Sequence, residues 1–129
     1  MSAKGTKRIL VVDDDDLLRD FYGRVLSQRG YEIESAANGD EAMQVLDNNT
    51  TPFALVIIDL LMPVRTGWEL IELMKGTTKY AKIPLLAITG LATSFEEFER
   101  VKQACDDVML KGDFELSRFT ETVDRLAAK

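Results

Sequence analysis

A chain of 129 residues fits a single domain against a prior of about 150 residues per domain, and at this length one core forms without disulfide or structural-metal staples. Apolar residues at 46% and charged residues at 29% exclude a disordered or low-complexity polymer. The net charge of −6, with Lys and Arg scattered along the chain, lacks the basic footprint of a nucleic-acid binder, and the absence of histidine removes His-based nucleophile pairs, general bases and zinc sites together.

The amino terminus, MSAKGTKR, is basic, but the apolar stretch after it runs only from Ile9 to Val12, too short for a signal peptide. The longest apolar runs, near Phe53 to Ile58 and Ile83 to Ile88, fall far short of the roughly 20 residues of a membrane helix. With one unpaired cysteine, Cys105, the expectation is a cytoplasmic domain over residues 7–129, preceded by a flexible tail over residues 1–6.

Along the chain, β-branched apolar runs alternate with helical spacing. The first predicted strand, Ile9 to Val12, leads into Asp13, Asp14, Asp15 and Asp16, of which the last two suit the start of a helix. Leu17, Leu18, Phe21, Tyr22, Val25 and Leu26 then form a stripe, and Gly30 marks a turn. Tyr31 to Ala36 alternates as a half-exposed edge strand does, and the Asn38-Gly39 turn precedes a short stripe of Ala42, Met43 and Leu46. Ala54 to Ile58 is a strand ending in Asp59, followed by helical spacing at Leu70, Ile71 and Met74. Leu85 to Ile88 is a strand ending in Thr89, and Ser94 with Glu97 forms a capping-box pattern ahead of Phe98 and Val101. Val108 to Leu110 ends in Lys111, and Asp113 is placed to cap a last helix carrying Leu116, Phe119, Val123 and Leu126. The Phe95 and Phe98 pair and Cys105 are expected in the core, with Trp68 half-buried.

Five βα units obeying the right-handed crossover rule give a doubly wound, three-layer α/β sandwich around a five-stranded parallel sheet. The flavodoxin-like order 2-1-3-4-5 puts the alternating second strand at an edge, and its site lies beyond the carboxyl ends of strands 1 and 3. No GxGxxG or GxxxxGK[ST] occurs, so dinucleotide and P-loop readings fall away. In this order Asp13, Asp14, Asp59, Thr89 and Lys111 converge. Like charges about 4 Å apart repel by on the order of 4 kcal/mol at an effective dielectric near 20, which calls for a hard cation such as Mg²⁺ beside the lysine. A carboxylate held against Mg²⁺, with an ammonium and a hydroxyl facing it, has the parts to receive a phosphoryl group on Asp59.

The segments RILVVDDDD, LVIIDLLMPVRTGWEL, IPLLAITG and DDVMLKGDF, in this order and spacing, resemble the receiver domain of two-component response regulators, the CheY-like superfamily. The resemblance implies a phosphoacceptor signalling domain rather than an enzyme in the ordinary sense, one that assists its own Mg²⁺-dependent phosphorylation and dephosphorylation. It implies Asp59 as phosphoacceptor, Thr89 as switch hydroxyl and Lys111 as phosphate-binding lysine. Mg²⁺ would be held by Asp13, Asp14, Asp59 and the backbone carbonyl of Leu61, with Asp13 acting mainly through water. Met62, Pro63 and Gly67 match the loop after the phosphoacceptor. The donor implied is a phosphohistidine of a histidine kinase or phosphotransfer domain. The output would be a changed surface over helix 4, strand 5 and helix 5, recognised by a protein target, with no direct nucleic-acid or membrane binding.

The chain departs from the family pattern in having Gly112 where proline usually follows the lysine, Val108 in place of a strand-5 aromatic, and apolar Leu61 and Leu91 beside the site. A trans Lys111-Gly112 peptide and a long-lived phosphorylated form are therefore expected. Two other functions compete. A haloacid-dehalogenase-type phosphatase would use Asp13 and Asp15 as its DxD pair, but leaves Asp59 and the LMP loop unexplained and expects further acidic residues on a strand after the lysine, where only one helix fits. A receiver-fold interaction module working without phosphate would have no use for all five pocket residues.

Overall fold

The computed structural model describes residues 6–48, 52–60, 67–90 and 95–128. Its elements in chain order are β1 (Arg8–Val12), α1 (Asp16–Gln28), β2 (Glu32–Ala36), α2 (Gly39–Asn48), β3 (Leu55–Ile58), α3 (Gly67–Lys75), β4 (Leu85–Thr89), α4 (Phe95–Ala104), β5 (Asp107–Leu110), a 3₁₀ turn (Lys111–Asp113) and α5 (Leu116–Ala127). The strands are parallel and ordered β2-β1-β3-β4-β5, as predicted, and each predicted strand is shifted by at most one residue at either end.

Continuous apolar strands build two cores because successive side chains point to opposite faces. Leu10, Val12, Val56, Ile58 and Leu85 meet Leu46, Leu70, Met74 and Val101 of α2, α3 and α4 on one face. Ile9, Val11, Leu55, Ile57 and Leu86 meet Tyr22, Leu26, Phe119 and Val123 of α1 and α5 on the other. The register pairs Val12 with Ile58, Ile58 with Ala87, and Thr89 with Leu110, so the carboxyl ends of the four inner and far-edge strands finish nearly level. That alignment positions the site.

Four apolar residues predicted to face the core instead face solvent: Leu17 is 81% exposed, Phe21 39%, Phe95 78% and Leu116 48%. On α1 the inward line runs through Leu18, Tyr22 and Leu26; Leu17 and Phe21 precede it by one position each, about 100° round a helix of 3.6 residues per turn. Asp113 is not the cap of α5. It closes the 3₁₀ turn, and α5 begins after Glu115, which makes no side-chain capping bond, so Leu116 falls in the exposed first turn. The Ser94 capping pattern lies outside the described residues. Asn38 does more than turn the chain: its side-chain oxygen accepts the Glu41 N–H at 2.9 Å while the Glu41 carboxylate accepts the Ala37 N–H at 2.9 Å, a reciprocal pair that starts α2. Among the described residues no peptide bond is cis, so Lys111-Gly112 is trans.

Candidate functional site

The ladder hydrogen bonds continue one residue beyond the strands. The Asp13 N–H donates to the Ala36 carbonyl at 3.1 Å and the Asp59 N–H to the Val12 carbonyl at 2.9 Å, which fixes both aspartates on the sheet rather than on free loops. Asp15 is the N-cap of α1, accepting the N–H groups of Leu17 and Leu18 at 2.9 and 3.2 Å, and Asp16 lies in the first turn. Asp13 Oδ1 accepts the Asp15 N–H at 2.9 Å, and Arg19, which also pairs with Asp16, donates to the Asp13 carbonyl at 2.6 Å. Sequence reasoning missed Arg19. Its signal is positional, since a long side chain in the first turn leans back toward the helix N-terminus.

Carboxylate oxygens of Asp13, Asp14 and Asp59 come within 4.8 Å of one another. Asp13 and Asp59 are buried, and Asp14 is exposed. The Lys111 ammonium bridges the buried pair, 3.2 Å from Asp59 Oδ2 and 3.3 Å from Asp13 Oδ2. Burial pushes the Asp13 carboxyl up, and the Asp59 charge adds to this; the Asp15 N–H and Lys111 work against it. For Lys111, burial works to lower the ammonium, but Asp59 and Asp13 outweigh it and the net shift is upward. Three carboxylates against one ammonium leave an excess of negative charge. An all-oxygen set of this kind suits a hard divalent cation such as Mg²⁺.

Thr89, also buried, ends β4 at the same edge, and Lys111 lies across Gly90, where an added Cβ would meet Lys111 Cδ at 3.6 Å. Gly67 is required by close approach: a Cβ there would fall 2.4 Å from the Asp59 carbonyl oxygen and 2.7 Å from Leu60 Cα. The structure therefore brings together Asp13, Asp14, Asp59 and Lys111, with Thr89 at the same sheet edge. Leu61, Met62, Pro63 and Leu91 lie outside the described residues. Trp68 is half-buried, with the Arg100 guanidinium 4.6 Å from its ring centroid, and Cys105 is buried with its thiol pushed up to about 12 by burial.

The sequence pattern of the response regulator receiver domain matches residues 9–124. The chain belongs to that family. Among solved structures, chemotaxis response regulator CheY4 of Vibrio cholerae is 30% identical with a TM-score of 0.82, covering 94% of this chain and 98% of that one. Response regulator TrrA of Thermotoga maritima, solved in complex with Mg(2+)-BeF, is 32% identical with a TM-score of 0.77, covering 94% of this chain and 99% of that one. Response regulator MprA of Mycobacterium sp. (strain KMS) is 36% identical over 104 residues, 81% of this chain and 44% of that protein. A gliding motility regulatory protein of Myxococcus xanthus is 29% identical over 119 residues, 92% of this chain and 15% of that protein. The chain thus spans less than half the length of these two curated relatives. As a receiver domain it is a signalling domain rather than an ordinary enzyme, of the kind that works between sensor kinases or phosphotransfer proteins and downstream effectors. Among the described residues no helix is long and apolar enough to cross a membrane.

Proposed function

We propose that Asp59 accepts a phosphoryl group from the phosphohistidine of a histidine kinase or phosphotransfer domain, and that the altered site changes the surface formed by α4, β5 and α5. The observation that carries this reading is the Asp13, Asp14 and Asp59 cluster with Lys111 spanning its two buried members. Asp59 is taken as the nucleophile because, of the two buried carboxylates that Lys111 bridges, it is the one that the receiver pattern matches as phosphoacceptor; its oxygen bonds to phosphorus as the bond to the donor imidazole nitrogen breaks. Asp13, Asp14 and Asp59, with the Leu61 carbonyl, would hold Mg²⁺, which when bound offsets negative charge on the phosphoryl oxygens. Lys111 supplies an ammonium to one of those oxygens, and the Thr89 hydroxyl donates to another. Leu17 and Phe21, exposed on the rim of α1, give an apolar landing surface for the donor protein. We place the domain in the cytoplasm, consistent with its single unpaired, buried Cys105.

The experiment is labelling by a small-molecule acyl phosphate, read by intact mass. We expect a labile, Mg²⁺-dependent phosphoryl adduct that disappears in Asp59→Asn. Undiminished labelling in that variant places the nucleophile elsewhere; loss with Asp13→Asn while Asp59→Asn still labels supports phosphatase-like chemistry, and no labelling at all supports a phosphate-independent module.

A further inference from the structure

A groove of about 340 Å³ lies between α3 and α4, and none of its lining residues belongs to the carboxylate cluster, β5 or α5. Its α3 wall is Trp68, Ile71, Glu72 and Lys75, spaced i, i+3, i+4 and i+7, which is one face of a helix along two turns. Its α4 wall is Arg100, Gln103 and Ala104, again spaced i, i+3 and i+4. Ile71 is buried, and Trp68 and Ala104 are half-buried, so the floor is apolar, while Lys75 and Arg100 are exposed on the rim.

Charge says what fits there. Among the described residues neither Lys75 nor Arg100 has a carboxylate partner, whereas Lys102 pairs with Glu99, Arg19 with Asp16 and Arg24 with Asp20. A last-turn position accounts for Lys75 by itself. It does not account for a second unpaired cation on the facing helix across an apolar floor. Glu72 is the one carboxylate in the groove, so two cations stand against one anion on a chain whose net charge is −6. Arg100 lies over Trp68, and Lys75 follows Trp68 by seven residues, about 10 Å along the helix axis, so the cations mark opposite ends of the floor. A third helix laid in the groove meets them with acidic side chains seven residues apart and sets apolar side chains between them. We infer that the α3-α4 groove docks an acidic amphipathic helix of a partner protein. Its apolar side chains lie on Trp68, Ile71 and Ala104, and its carboxylates reach Arg100 and Lys75. Glu72, between the two cations, repels an unbroken run of negative charge such as a nucleic-acid backbone and favours acidic residues that are spaced. The surface is separate from the carboxylate site, and its occupation does not depend on phosphorylation.

The probe is an alanine-based helical peptide with two glutamates seven residues apart and leucines three and four residues after the first. It is titrated into the full chain and followed by calorimetry and by Trp68 emission. Saturable one-to-one binding with a change in emission is expected, weakened about threefold to tenfold by Lys75→Glu and by Arg100→Glu separately. Both side chains are exposed, so neither reversal disturbs the core. Serine in place of the leucines should weaken binding as well, and a peptide with lysine in place of one glutamate should bind Lys75→Glu more tightly than the unsubstituted chain. Absence of saturable binding, binding unchanged by both reversals, or tighter binding of a single-stranded oligonucleotide than of the peptide overturns the inference. So does a dimer of the chain alone that dissociates in Lys75→Glu, because the groove then belongs to a second copy.

Discussion

On one side of the sheet, α1 and α5 bury Tyr22, Leu26, Phe119, Val123 and Leu126, tie their far ends together through Arg29 and Tyr31 on Asp124, and fasten Lys7 to the last turn of α5. On the other side, α4 buries Val101 fully among its described side chains, with Phe98 and Ala104 only half-buried and Arg100 resting on Trp68. Apolar burial scales with area removed from water, so displacing α4 costs far less than displacing α5. Within its layer α4 is the lightly held helix, since α2 and α3 bury Ala42, Leu46, Leu70, Ile71 and Met74 on the same face. The chain from Thr89 runs through Gly90 toward α4, and the ring that Arg100 grips follows Gly67, whose backbone lies against Asp59. The lightly held helix α4 is therefore linked to the site through both Thr89 and Gly67.

The largest expected effect separates the two layers directly. Phe119→Ala should lower unfolding free energy by about 3–5 kcal/mol, and Val101→Ala by about 1.5–3 kcal/mol, measured by urea unfolding. Equal losses would erase the distinction. Gly67→Ala forces a methyl against the Asp59 backbone and should cost about 1–3 kcal/mol as an overpacked contact; its phosphoryl labelling should fall as well, because Asp59 is displaced. Arg100→Ala loosens α4 with little global loss, about 0.5–1 kcal/mol for an exposed cation over a ring. Trp68 is the chain's one tryptophan, so its emission should shift with that substitution, and an unchanged spectrum would mean that the guanidinium does not rest there in solution.

The smallest effect lies at the foot of the firm layer and depends on pH. Asp124 is held below the ordinary carboxylate value, first by its hydrogen bond from Arg29 and then by Tyr31, while burial opposes this. A depressed carboxylate contributes stability above its unfolded value and loses that contribution as pH falls through its folded one. Asp124→Asn should flatten the acid limb of the stability profile and leave the α4 side unaffected.

The strands and their order were legible because parallel strands buried on both faces must be apolar on consecutive residues, while the alternation of Tyr31 to Ala36 marked an edge. The pocket was legible because Asp13, Asp59, Thr89 and Lys111 each directly follow or end a strand, and sheet order alone brings such positions together. Helix faces were less so. Leu17, Phe21, Phe95 and Leu116 sit at helical spacing but in first turns or one position off the inward line, and the apolar pattern cannot report that rotation. Asp113 misled because a 3₁₀ turn intervenes before α5. Arg19 escaped because its sequence position suits a solvated first turn, and its polar end acquires meaning only from what faces it.

Amide hydrogen exchange with and without Mg²⁺ and beryllium fluoride, a phosphoryl mimic, joins the site to the unequal layers in one measurement. Exchange should change most from Gly90 through Ala104, with the cores of α1 and α5 unmoved, and the change should vanish in Asp59→Asn. Protection changes centred on Phe119 and Leu126, or a response in α4 that survives Asp59→Asn, would contradict the account.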